Sequence, residues 1–277
     1  MPLVFAAAAN HAPGITGRRY RAPEAEREPF FAAYAELKRK LDAARLDALV
    51  VIAAEHFTNF FMNNMPAFCI GLADRYRGPV ESSSLLKIEP TEVPGDQRLA
   101  RAIAAGMMQE VDLSYSEELV FDHGVMVPLH LLTPDMILPV VPIFINCLTG
   151  PRAPAARCYE LGRALRRATA GLPERIGVLG SGGLSHWPAV PASGRVNAAW
   201  DEEFLDAFLK NDRERLVAYR DDEIDAAGGP GGQEIRTWIA VAGAMEGRTS
   251  EKLIYLPIPA YAVGGCIAVG NLEKRAA

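Results

Sequence analysis

In Asp47-Ala48-Leu49-Val50-Val51-Ile52-Ala53-Ala54, every residue after the opening Asp47 is apolar, a run of strand length ended by Glu55-His56. A strand with one wet face alternates apolar and polar side chains. A run without alternation is expected where both faces are covered, as in a sheet between two helical layers. Outward from this run the same signal recurs. Residues 4–9 (VFAAAA) predict a strand that proline and glycine end at His11-Ala12-Pro13-Gly14. Residues 137–145 (ILPVVPIFI) predict another buried strand, with its two prolines marking an edge or a bulge. Residues 175–180 (RIGVLG) predict a fourth, running into Ser181-Gly182-Gly183.

Between these runs the period changes. Over residues 24–44, Phe30, Phe31, Tyr34, Leu37 and Leu41 recur at three- and four-residue spacing, with charges on the other side. That is the stripe of an amphipathic helix. Helices are also predicted over 96–110, 154–171, 200–217 and 233–245, and extended chain over 252–258 and 262–269. Strand and helix in alternation predict an α/β fold: a single domain over 1–277, with a mostly parallel or mixed central sheet and helices on both faces. No internal repeat or linker divides the chain.

Composition narrows the function. The 277 residues are 49% hydrophobic and 23% charged, with a formal net charge of −5. A nucleic-acid binder normally shows a basic stripe, and the densest basic run, residues 163–167, reads as the solvated face of a helix. No apolar stretch approaches the roughly 20 residues needed to cross a bilayer, and residues 1–10 lack the basic start of a signal peptide. The expectation is a cytoplasmic protein with neither nucleic-acid nor membrane partners. Cys69, Cys147, Cys158 and Cys266 are scattered, which suits buried reduced thiols better than a zinc site or disulfides.

Chemistry gathers at histidines. His11, His56 and His186 each follow a predicted strand, and His123 lies in the loop-like Phe121-Asp122-His123-Gly124. Ligands of open α/β sheets bind beyond the carboxyl ends of the strands, so four imidazoles distant in sequence can converge there. Any one alone reads as a hydrogen-bonded loop residue. His130, inside Pro128-Leu129-His130-Leu131-Leu132, reads as a packed structural histidine. Two histidines and one carboxylate form the facial arrangement of oxygen-activating iron(II) sites. The carboxylate candidate is Glu234, which follows Gly228-Gly229-Pro230-Gly231-Gly232. An acid in a first helical turn is also favoured by the helix dipole without any metal.

Six ordered segments carry a resemblance along nearly the whole chain: Ala9-Asn10-His11-Ala12-Pro13-Gly14; Glu55-His56-Phe57-Thr58-Asn59-Phe60-Phe61; Asn64-Met65-Pro66-Ala67-Phe68-Cys69-Ile70-Gly71; Asp122-His123-Gly124 with Val127-Pro128-Leu129; Ser181-Gly182-Gly183-Leu184-Ser185-His186; and Gln233-Glu234-Ile235-Arg236-Thr237-Trp238. On these the chain resembles the type III extradiol ring-cleaving dioxygenases, the superfamily of the protocatechuate 4,5-dioxygenase β subunit. The fifth and sixth segments look most like the branch acting on 2,3-dihydroxyphenylpropionate, and the length suits members without a small α subunit.

The resemblance implies that His11, His56 and Glu234 bind Fe(2+), and that His123 and His186 are the acid/base pair. It implies extradiol (meta) cleavage of a catechol-type aromatic acid, with O2 and a small aromatic diol as substrates, in a homo-oligomer. One departure is Glu55, where the family commonly has Asp before the second ligand histidine; this puts the bracing of the site in question. Cleavage of an aminophenol or a gallate-type triol is the alternative activity, and a non-catalytic binding protein of the same fold is the non-enzymatic one. Arg18, Arg19 and Tyr20 are read either as partners of a substrate carboxylate or as a solvated loop. Residues 59–68 are read as mostly core, with some lining of an aromatic pocket.

Overall fold

The computed structural model describes residues 3–275. Its strands are β1 (Leu3–Ala9), β2 (Ala48–Ala54), β3 (Phe68–Gly71), β4 (Arg75–Gly78), β5 (Thr91–Pro94), β6 (Ser114–Ser116), β7 (Val140–Ile145), β8 (Ile176–Ser181), β9 (Arg248–Ile258) and β10 (Val263–Arg275). Eight of them form one mixed sheet in the order β6-β3-β7-β2-β8-β1-β10-β9, while β4 and β5 pair separately. The centre is parallel, β7-β2-β8-β1. Antiparallel pairings of β3 with β7 and of β10 with β1 and β9 extend it on either side. The single-domain α/β expectation is met.

The absence of polar residues in β2 is explained by its place. All seven of its residues are buried, and they divide by parity between two cores. Val50 and Ile52 face one, packed with Leu161 and Leu165 of the helix Ala155–Thr169 and with Trp238 of the helix Ile235–Ala244. Leu49 and Val51 face the other, with Phe30 and Leu37 of the helix Glu24–Ala44 and Leu129 of the helix His123–Leu132. Helices therefore cover both faces, as the missing alternation requires.

Four local readings are corrected. β7 is an interior strand and not an edge, although Pro142 lies within it. Its ladder with β2 runs its full length, whereas that with β3 covers only Ile143 to Ile145, the residues that follow the proline. A proline has no N–H to donate, so only one side of the strand loses pairing. Residues 200–217 are two helices, Ala198–Lys210 and Arg213–Ala218, parted where Asn211 takes a left-handed conformation (φ 52°) and Asp212 caps the second. His123 is not in a loop: it is the first residue of its helix, capped by Asp122 through the Gly124 N–H. The basic run at 163–167 is paired rather than merely solvated, Arg163 with Glu160 and Glu246 and Arg167 with Glu110. No helix among the described residues is long and apolar enough to cross a membrane.

Candidate active site at the carboxyl ends of the central strands

β1, β2 and β8 are adjacent and parallel, so the chain leaves all three at the same edge of the sheet. His11 lies two residues beyond β1, His56 two beyond β2 and His186 five beyond β8. The helix starting at His123 and the one starting just after Glu234 point their N-termini into the same space. All five residues singled out from sequence meet there.

The carboxylate is the hub. Glu234 Oε2 is 3.2 Å from His11 Nε2, and Oε1 is 3.2 Å from His56 Nε2 and 3.6 Å from His186 Nε2. It also accepts the Gly183 N–H at 2.5 Å. The ring centroids of His11 and His56 are 5.1 Å apart and nearly perpendicular, while His123 stacks on His56 at 4.4 Å. Donor atoms of His11, His56 and His123 lie within 4.8 Å of one another, a spacing that can hold a metal ion.

Hydrogen bonds fix which nitrogen faces inward. The Asp122 carboxylate can only accept, so at 2.9 Å it takes the proton of His56 Nδ1. Ser181 Oγ donates to the Gly124 carbonyl and accepts from His11 Nδ1 at 2.9 Å. His123 Nδ1 donates to Glu81 at 2.6 Å and His186 Nδ1 to the Leu184 carbonyl at 3.0 Å. Every ring is thus anchored through Nδ1, which leaves Nε2 to face the site, and those of His11, His56 and His186 meet Glu234 there. This is the tautomer control that metal-binding and acid/base histidines need.

The electrostatics favour added positive charge. Burial works against ionisation of both Asp122 and Glu234, yet the surrounding imidazoles hold both below the usual carboxylate range. In return, burial of His56 and His186 is outweighed by these carboxylates and both rings are raised, while burial holds His11 below its ordinary value. Two buried carboxylates among imidazoles call for compensating cations, which protons or a divalent metal ion can supply.

The glycines before Glu234 are required by His186. A Cβ on Gly231 would lie 2.3 Å from the His186 ring, and Gly229 has φ +77° with its Cβ position 2.5 Å from the His186 carbonyl oxygen. Only glycine allows this approach. Glu55 answers the question raised by its identity: its carboxylate accepts the N–H groups of Phe57, Thr58 and Asn59 at 2.6–2.8 Å, so the longer acid braces the turn after His56. Asp122, Glu81 and Ser181 were not read from sequence as part of the site. Asp122 and Ser181 lie in segments that carry the resemblance, but nothing local marks Glu81 or Ser181 as partners of histidines 42 and 170 positions away. Residues 59–68 are not mostly core: Phe68 is buried, while Phe61 and Met62 are 53% and 67% exposed beside His56.

Residues 6–267 match the family model described as the catalytic LigB subunit of aromatic ring-opening dioxygenase. The chain belongs to that family. It is an aromatic ring-opening dioxygenase of the extradiol type. Curated relatives named 2,3-dihydroxyphenylpropionate/2,3-dihydroxicinnamic acid 1,2-dioxygenase include one from Photorhabdus laumondii, 30% identical over 80% of this chain and 83% of that one. Another, from Burkholderia vietnamiensis, is 31% identical over 79% and 83% respectively. A crystal structure of an uncharacterised protein from Escherichia coli K12 shares the fold, with a TM-score of 0.61 and 20% identity over 86% of this chain and 91% of the other.

Proposed function

We propose that this LigB-family member is an iron(II)-dependent dioxygenase that opens a catechol-type aromatic acid beside its two hydroxyls, incorporating both atoms of O2. The observation that carries this reading is the pair of 3.2 Å approaches of His11 Nε2 and His56 Nε2 to opposite oxygens of one carboxylate, Glu234. His11, His56 and Glu234 would hold the ion. Bound there, ferrous iron supplies a Lewis acid that acidifies a catechol hydroxyl and a route for electrons from the ring to O2. The stacked orientation of His123 on His56 supports keeping it out of the ligand set, because parallel rings direct their lone pairs along parallel planes rather than at one point.

His123 and His186 are then the acid/base pair. Each presents Nε2 with Nδ1 already bound, so each can hold or pass one proton at that atom. Glu81 holds the proton of His123 Nδ1 and so keeps Nε2 as the acceptor. Asp122 and Ser181 orient His56 and His11, and Glu55 fixes the loop after His56. The names of the curated relatives support a substrate with a carboxylated side chain on the catechol. With this reading go one catalytic domain over 1–277, a cytoplasmic setting and a homo-oligomer.

The test is a panel of catechols, gallate-type triols and aminophenols, offered with O2 to anaerobically iron-loaded protein. A yellow ring-opened product from 2,3-dihydroxyphenyl acids, with one O2 consumed per product, is expected. Turnover confined to triols or aminophenols would reassign the substrate, and no turnover of any of them would overturn the proposal.

A further inference from the structure

A cavity of about 520 Å³ opens on the surface and contains none of the five residues of the active site. It is lined by Arg18, Arg19, Arg21, Lys87, His130 and Thr16, among others, and by no carboxylate. His130 is seven residues along its helix from His123, a separation of roughly 10 Å at 1.5 Å per residue.

The chain has 34 acidic residues against 29 basic ones, and many of its arginines form ion pairs, so a patch without acids runs against its composition. No ion pair is seen for Arg18, Arg19, Arg21 or Lys87 among the described residues. Two polar atoms in this lining, Thr16 Oγ1 and Arg19 Nε, are buried and have no hydrogen-bond partner. Buried donors are normally satisfied. The Arg19 guanidinium carbon lies over the Phe31 ring, 3.9 Å from its centroid. The two basic segments are held together by backbone contact: a Cβ on Gly17 would come within 1.9 Å of the Leu85 carbonyl oxygen, which seats Arg18 beside the turn that ends in Lys87.

We infer that this cavity is a binding site for a small oxyanion of two or more negative charges, of the phosphate or dicarboxylate class, separate from the ring-opening centre. Such a ligand meets several unpaired cations at once. A single surface ion pair with a monoanion is worth too little to hold it.

The experiment is calorimetric titration and thermal melting of the full chain with inorganic phosphate and with succinate, each against sodium chloride at equal ionic strength. Saturable binding and a raised Tm are expected, with affinity reduced at least about tenfold in R19Q and in K87M. If R19Q folds poorly for want of its packing on Phe31, the R18Q/K87M double variant removes two exposed cations and reads the same loss. Binding of both anions supports a general dianion site, and binding of one assigns it to that class. An equal response to chloride, or parent affinity in the variants, overturns the inference, and does so without bearing on ring cleavage.

Discussion

Glu81 Oε1 accepts two hydrogen bonds from His123, one from its ring Nδ1 at 2.6 Å and one from its backbone N–H at 3.0 Å. Backbone and side chain are thereby gripped by one oxygen, at the first residue of a helix whose cap is the neighbouring Asp122. A carboxylate in this position orients the imidazole and fixes the proton on Nδ1.

Replacing Glu81 by Gln keeps the shape but removes the charge. The expected result is unchanged iron content with kcat lowered about tenfold or more, since general acid/base assistance commonly contributes 10²–10⁴-fold. Steady-state kinetics beside metal analysis checks it. A parent-like kcat would show that the pair is structural only.

Glu234→Ala removes the hub carboxylate and is expected to abolish iron retention. His123→Phe and His186→Phe should keep iron near stoichiometric while slowing turnover. Iron lost from the His123→Phe variant, but retained by the Glu234→Ala one, would select the three-histidine set of donors instead.

Asp122 has two duties that one substitution separates. Asn caps helices about as well as Asp, so Asp122→Asn should change Tm little. It cannot, however, supply the charge that fixes the His56 tautomer. Iron affinity is expected to fall about 10–100-fold, as for other partners of metal-binding histidines, measured by competition with a chelator.

Asp201 anchors the loop that carries His186, accepting the Ser185 N–H and the Tyr255 hydroxyl, each at 2.7 Å. Burial pushes its carboxyl up from 3.8 to about 6. A carboxyl raised on folding gives stability that is complete below its unfolded pKa and is lost as pH climbs through the folded one. The window is therefore about pH 4 to 6, and the loss is at most about 3 kcal/mol. Asp201→Asn, uncharged throughout, should flatten the pH dependence of Tm across that window. An identical slope in the variant would refute the assignment.

Much of the fold was legible because its signals are local. The unbroken run 48–54 could only be a strand covered twice, and the stripe Phe30–Tyr34–Leu37–Leu41 marked the face of a helix that the structure places at Glu24–Ala44. Local signals failed where the outcome depended on a neighbour. Pro142 is tolerated in an interior strand because the facing strand β3 stops pairing there, and Asn211 breaks a helix at a point where Asp212 can start another.

The sequence by itself determined the residue types: His11, His56 and His186 just beyond strands, His123 and Glu234 away from them, and glycines where backbone must pass a ring. Tertiary structure alone decided that these groups meet, that each imidazole turns Nε2 inward, and that Ser181, Glu81 and Asp122 are what turn them. The reason is range. Periodicity and turn chemistry act over a few residues, whereas the approach of His56 to Glu234 closes a gap of 178 positions and exists only once the parallel strands have brought their ends together.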